Sequence, residues 1–197
     1  MRKVMVQEFL ALDGTAQAPG GADEDTSGGF QHGGWQMQYL EDAGMNWVRN
    51  GIEDAGGFLL GRRTYEIFAG YWPSDPGAPP ELAEHLNTKP KHVASRTLTG
   101  ELEWQNSRVL EGNLPESVAA LKQADGGDLL VIGSTELVKS LLEHGLVDGF
   151  RLVIDPLLVG GGKRVFPDDG ELRPLRLVEH EVTSTGAIIA TYASAES

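Results

Sequence analysis

The sequence predicts an α/β fold: a mostly parallel central sheet with an antiparallel hairpin at one edge. Three observations predict it. Short apolar runs alternate with helical periodicities along most of the chain. Two of those runs end in glycine just ahead of a helix, at Gly61 and Gly133. The last pattern is strand, turn, strand, which reads as an antiparallel edge.

Val4 to Leu12 is mostly apolar, carries Val and Phe, and stops at Asp13-Gly14, so it reads as a strand entering a turn. Gly14 to Gly34 is glycine-rich, with Asp, Glu, Ser and Pro interspersed; a stretch that long without pattern is either a mobile loop or an active-site lid. Trp35 to Asp54 places Leu40, Trp47, Val48 and Ile52 at loosely helical spacing, predicting a helix over part of it. Gly57 to Gly61 is a short apolar run of the buried-strand kind. Arg62 to Gly70 reads as a helix and Tyr71 to Pro90 as a proline-rich loop. His92 to Ser95 and Ser107 to Leu110 are short strands.

Pro115 suits the opening of a helix through Gln123 that turns Val118 and Leu121 inward. Asp128 to Ile132 is a strand, Gly133 to Thr135 a turn and Glu136 to His144 a helix. Phe150, Leu152 and Ile154 alternate with Arg151 and Val153 in a further strand. Leu175 to Val182 and Ala187 to Ala193 flank Ser184-Thr185-Gly186 as a hairpin. Neither a repeat nor a linker interrupts the pattern, so one domain over residues 1–197 is expected.

Composition narrows the function. At 40% hydrophobic and 23% charged residues the chain is of globular rather than disordered type. A net charge of −13 disfavours nucleic acid and anionic membrane surfaces. No apolar run approaches the roughly 18 residues of a membrane span. The absence of cysteine rules out disulfides, thiolate zinc sites and a cysteine nucleophile, and fits a cytoplasmic protein. The five histidines, at 32, 85, 92, 144 and 180, have no ligand spacing, so no metal site is expected.

Two strand–helix junctions carry the chemistry. At Gly61-Arg62-Arg63-Thr64 a glycine lets a ligand approach the backbone, and the helix start favours an anion. Cations are disfavoured there unless something anionic compensates, and a phosphate matches the guanidinium fork; the alternative is that Arg62 and Arg63 are solvated or paired with Glu66. At Gly133-Ser134-Thr135 two hydroxyls can cap the helix or bind phosphate oxygens. Two such junctions suggest a dinucleotide, and Ser95-Arg96 adds a hydroxyl–guanidinium pair suited to a 2′-phosphate, favouring NADPH. Gly160-Gly161-Gly162-Lys163-Arg164 either holds an anionic substrate group or is a tight loop. Asp13 is either a turn residue or a group that orients substrate or supplies a proton.

These segments in this order resemble the dihydrofolate reductase superfamily, and more closely the reductase domain of bacterial riboflavin biosynthesis in a stand-alone form. The resemblance rests on Leu12-Asp13-Gly14, Gly61-Arg62-Arg63-Thr64-Tyr65, Val131-Ile132-Gly133-Ser134 and Asp148-Gly149-Phe150-Arg151 leading to Pro156 through Gly162. It implies a three-layer α/β/α fold, a homodimer, and NADPH across the strand ends. Arg62 and Ser95 would face the 2′-phosphate, Thr64 and Gly133 to Thr135 the pyrophosphate, and Ala11 and Leu12 the nicotinamide. The residues themselves, rather than the resemblance, mark Gly161, Gly162 and Lys163 as candidate substrate contacts and Asp13 as the candidate catalytic group. The implied activity is hydride transfer from NADPH to a small heterocyclic or sugar-derived substrate, as in 5-amino-6-(5-phosphoribosylamino)uracil reductases. A dihydrofolate or pterin reductase, or an inactive nucleotide-binding protein of the same fold, is the alternative. Dihydrofolate reductases place a carboxylate shortly after a Trp-x-x-Pro-like segment; here Trp35 to Asp42 has no proline, and neither Glu41 nor Asp42 falls in register.

Overall fold

The computed structural model describes residues 1–195. Its elements are β1 (Val4–Ala11), α1 (Asp42–Asp54), β2 (Gly57–Gly61), α2 (Arg62–Tyr71), α3 (Pro80–Thr88), β3 (Lys91–Ala94) and β4 (Ser107–Val109). Then follow α4 (Leu114–Gln123), β5 (Leu129–Ile132), α5 (Thr135–Glu143), β6 (Gly149–Asp155), β7 (Leu175–Val182) and β8 (Ile188–Ser194). The eight strands form one sheet in the order β4-β3-β2-β5-β1-β6-β8-β7. β1 to β6 run parallel, whereas β8 is antiparallel to β6 and β7 antiparallel to β8.

Connection handedness assigns the layers. The links β1→β2 and β2→β3 step one way along the sheet, and β4→β5 and β5→β6 step the other. Right-handed crossovers then require α1, α2 and α3 on one face and α4 and α5 on the opposite face. The cores agree. Val118, Leu121, Val138 and Leu141 pack on Val4, Val6, Leu59 and Val131. Ile52, Tyr65, Leu82 and Leu86 pack on Phe58, Leu60, Val93 and Leu130. Alternate residues of the same strands therefore serve different layers, the three-layer α/β/α arrangement.

Several local devices hold the layers in place. Lys91, 0% exposed, donates from Nζ to the carbonyls of Leu86, Asn87 and Lys89 at the end of α3, offsetting the negative dipole end there. Lys89 does the same for α1 through the carbonyls of Ile52 and Glu53. Asn113 caps α4 by accepting from the Glu116 N–H at 3.0 Å, worth about 1 kcal/mol. Glycine at position 51 of α1 leaves room for the Gln7 side chain, since a Cβ there would lie 2.0 Å from Gln7 Oε1.

Two sequence expectations are corrected. The segment from Tyr71 to Pro90 is not all loop: α3 occupies Pro80–Thr88, because Pro80 opens it and Leu82 and Leu86 form one buried stripe. The stretch from Gly14 to Gly34 is not a free lid along its length. Thr15 to Ala18 are buried, Thr15 bridges Arg164, and the Ala16 N–H donates to the Lys163 carbonyl. Trp35 pins the same segment by donating from Nε1 to the Gln17 carbonyl at 2.8 Å. No helix among the described residues is long and apolar enough to cross a membrane.

Candidate functional site

The sheet opens where its topology reverses. β5 and β1 are neighbours, yet their outgoing helices lead in opposite directions, which leaves a crevice at their carboxyl ends. The register shows it: β1 pairs with β5 only from Val4 to Gln7, but with β6 as far as Ala11. From Glu8 onward the side of β1 facing β5 is released from the ladder. A cleft of about 1000 Å³ occupies this place, roofed by the segment from Ala16 to Asp25.

Both strand–helix junctions line the cleft, with Gly61, Arg62, Arg63 and Thr64 from one and Gly133, Ser134 and Thr135 from the other. Ser95 and Arg96 lie on the same wall. The junctions are stitched together, since β2 and β5 are adjacent. The Gly61 N–H donates to Ser134 Oγ at 2.9 Å, and the Ser134 N–H donates to Thr64 Oγ1 at 3.1 Å. Gly133 (φ 59°) and Ser134 (φ 62°) are both left-handed, turning the chain sharply into α5. Neither α2 nor α5 has a side-chain cap, so their first N–H groups remain available. The hydroxyls expected to bind phosphate are thus partly engaged in holding the junctions, and Ser95 Oγ likewise accepts from the N–H groups of Thr97 and Leu98.

Arg62, Arg63 and Lys163 are each paired with an internal acid. Arg62 pairs with Glu66 at 2.9 Å, one turn along α2. Arg63 reaches the roof at Ser27 Oγ (2.6 Å) and Asp25 (3.5 Å), and Lys163 meets the other oxygen of Asp25 at 2.5 Å. Burial works against ionisation of Asp25, but hydrogen bonds from Lys163 and Ser27 outweigh it and hold the carboxyl below its ordinary range. An anion arriving at this wall competes with acids the protein itself supplies.

The structure separates other expected site residues from the cleft. Asp13 accepts from the N–H groups of Gly160 (2.7 Å) and Thr15 (3.2 Å). Burial opposes its ionisation, yet these bonds prevail and lower its pKa. Bound to the N–H groups of two loops, the Asp13 carboxyl fastens one to the other. Ala11 and Leu12 do not line the cleft, because the backbone of Thr15 folds over the end of β1: Ala11 is buried and its N–H donates to the Thr15 carbonyl, while Leu12 is 61% exposed. Gly161 and Gly162 belong to a separate depression of about 470 Å³ beside Phe30 and His32, and Gln17 and Lys163 line both hollows.

Residues that the sequence reading passed over fill the interior. Gln7, Glu8 and Phe9 of β1 line the cleft. Arg151 stacks over the Trp47 ring, with 5.1 Å to its centroid, and donates to Gln7 Oε1 and the Trp47 carbonyl. Asp155, 0% exposed at the end of β6, has no hydrogen-bond partner for either oxygen among the described residues, and burial pushes its pKa up to about 7. Glu41 holds the N–H and hydroxyl of Ser184 in the β7–β8 turn, so its carboxylate is structural. No group of side chains suited to a metal ion occurs among the described residues.

Known proteins share this architecture. The Enterococcus faecalis dihydrofolate reductase complexed with NADP(H) superposes with a TM-score of 0.61 at 12% identity, over 98% of this chain and 96% of that one. Acinetobacter baumannii RibD superposes with a TM-score of 0.64 at 17% identity over 98% of this chain, which spans 58% of the RibD chain. In sequence, the uncharacterized protein YyaP of Bacillus subtilis (strain 168) is 33% identical over 137 residues, 68% of this chain and 71% of that protein. The RibD C-terminal domain family model matches residues 2–189. With a dihydrofolate-reductase-like sheet, a cleft at its reversal point and a family match over nearly its whole length, this chain belongs to the RibD C-terminal domain family.

Proposed function

We propose that this chain is a reductase that binds NADPH in the cleft and reduces a small heterocyclic or sugar-derived substrate. The observation that carries the reading is the pair of stitched junctions at the reversal point, one cationic and one built on free backbone N–H groups, within a single cleft. A nicotinamide cofactor bound there supplies a hydride. The chain's own residues do the rest. Arg62, with Ser95 and Arg96 nearby, takes the 2′-phosphate, and the first N–H groups of α5 take the pyrophosphate. The roof segment excludes water from the released edge of β1.

The folate alternative loses support from Glu41, which the hairpin turn consumes. A phosphorylated substrate of the riboflavin type would have to draw Lys163 away from Asp25. The reading includes a homodimer, because Leu175, Leu177, Val178 and Val182 on β7 are 41 to 64% exposed. Light scattering of the purified protein checks that part.

Trp72 lines the cleft and serves as an internal reporter. Titration with NADPH and NADH, followed by tryptophan quenching and calorimetry, should show tighter binding of NADPH. Binding of neither nucleotide would overturn the reading.

A further inference from the structure

The interior of the cleft holds an acid with no assigned work. Glu8 lies on the face of β1 that carries Val6 and Leu10, both core residues, yet it sits past the point where β5 leaves and lines the cleft. It is 4% exposed, and its Oε1 has no hydrogen-bond partner among the described residues. The charge that acts on it most is of its own sign: Glu24 in the roof, whose Oε2 is tied to the N–H groups of Gly20 and Gly21. Burial first, and Glu24 second, push the pKa of Glu8 well above the ordinary carboxylate range and favour the uncharged acid.

An uncharged carboxyl offers one O–H donor beside one carbonyl acceptor. Its complement is a group with the reverse pair on adjacent atoms: the N–H and C=O of a primary carboxamide or of a lactam ring. A carboxylate would serve a cationic or donor-only ligand, but a cleft that disfavours the charge selects the mixed edge. We propose that the Glu8 carboxyl group is a ligand-binding residue that forms a two-hydrogen-bond ring with an amide edge of the bound ligand. This rests on the reductase reading, under which the edge comes from one of two sources: the carboxamide of the nicotinamide ring or a lactam in the heterocyclic substrate.

The test uses Glu8→Leu, which suits the apolar face beside Val6 and Leu10, and Glu8→Gln, which keeps a donor and an acceptor side by side. Thermal melts establish that both variants fold. Three probes are titrated by calorimetry: NADPH, 2′-phospho-ADP-ribose, which lacks the nicotinamide, and uracil as a simple lactam. Glu8→Leu should weaken NADPH or uracil about tenfold, the loss of two neutral hydrogen bonds. Glu8→Gln should stay close to the parent, and 2′-phospho-ADP-ribose should be unaffected in both. Which of the two affinities falls identifies the source of the amide. Unchanged affinities in Glu8→Leu would overturn the proposal. So would equal losses in Leu and Gln, or a parallel loss of 2′-phospho-ADP-ribose, which would mark a structural role. If the parent protein binds uracil through Glu8 but neither nucleotide, the reductase reading falls and the amide pairing stands. If it binds none of the three, both fall.

Discussion

The β2–α2 and β5–α5 junctions share a plan of strand, glycine and helix, lie side by side, and handle charge differently. The first puts Arg62 and Arg63 in the opening turn of its helix, with no acid there to suit the dipole. The second has no cation; it offers two left-handed residues and a helix start with Glu136 in its first turn. The difference teaches a division of labour. Side-chain cations can be exchanged by mutation and can tell one phosphate pattern from another. Backbone N–H groups are indifferent to such detail but depend on a strained turn being held in place.

That division can be broken by experiment, beginning with the largest effect. Arg62→Ala should weaken NADPH about tenfold to a hundredfold, the range for charge-assisted bonds, and leave NADH nearly unchanged. Equal losses for both nucleotides in calorimetry would end the distinction. Gly133→Ala places a Cβ 3.4 Å from Thr64 in a left-handed turn, so it should cost about 1–2 kcal/mol of stability and weaken both nucleotides alike. Denaturant melts with paired titrations check this. Ser134→Ala removes the acceptor of the Gly61 N–H, a loss of about 1 kcal/mol. Ser134→Gly should lose less, since glycine relaxes the left-handed backbone. Smallest is Asp25→Asn, which releases Arg63 and Lys163 and should tighten pyrophosphate binding about twofold to fivefold. No gain there would mean the roof acid does not compete with an incoming anion.

Most strands and helices were legible because their signals are local. Gly57 to Gly61, Leu175 to Val182 and the helix opened by Pro115 each carry their periodicity and punctuation within a few residues. α3 was obscured because its proline starts the helix that the surrounding prolines suggest is absent. The junction residues were legible as glycine beside arginine or hydroxyl, but their mutual hydrogen bonds depend on strand order. Asp13 stood out beside a glycine in a turn, whereas its use in tying two loops needs Gly160, distant in sequence. Glu8 was invisible for the opposite reason. Within a strand an acid reads as a solvent-facing position, and only burial on both faces of a central strand turns it into an interior group.

The outer hairpin has a consequence of its own. Among the described residues β7 pairs with β8 alone, and all eight of its residues are exposed. Its amides should therefore exchange with solvent deuterium through a local opening that leaves β1 shut, while those of β1 wait for global unfolding. Should a second copy lie against β7, that exchange would slow as protein concentration rises, and the edge of the sheet would become a gauge of assembly.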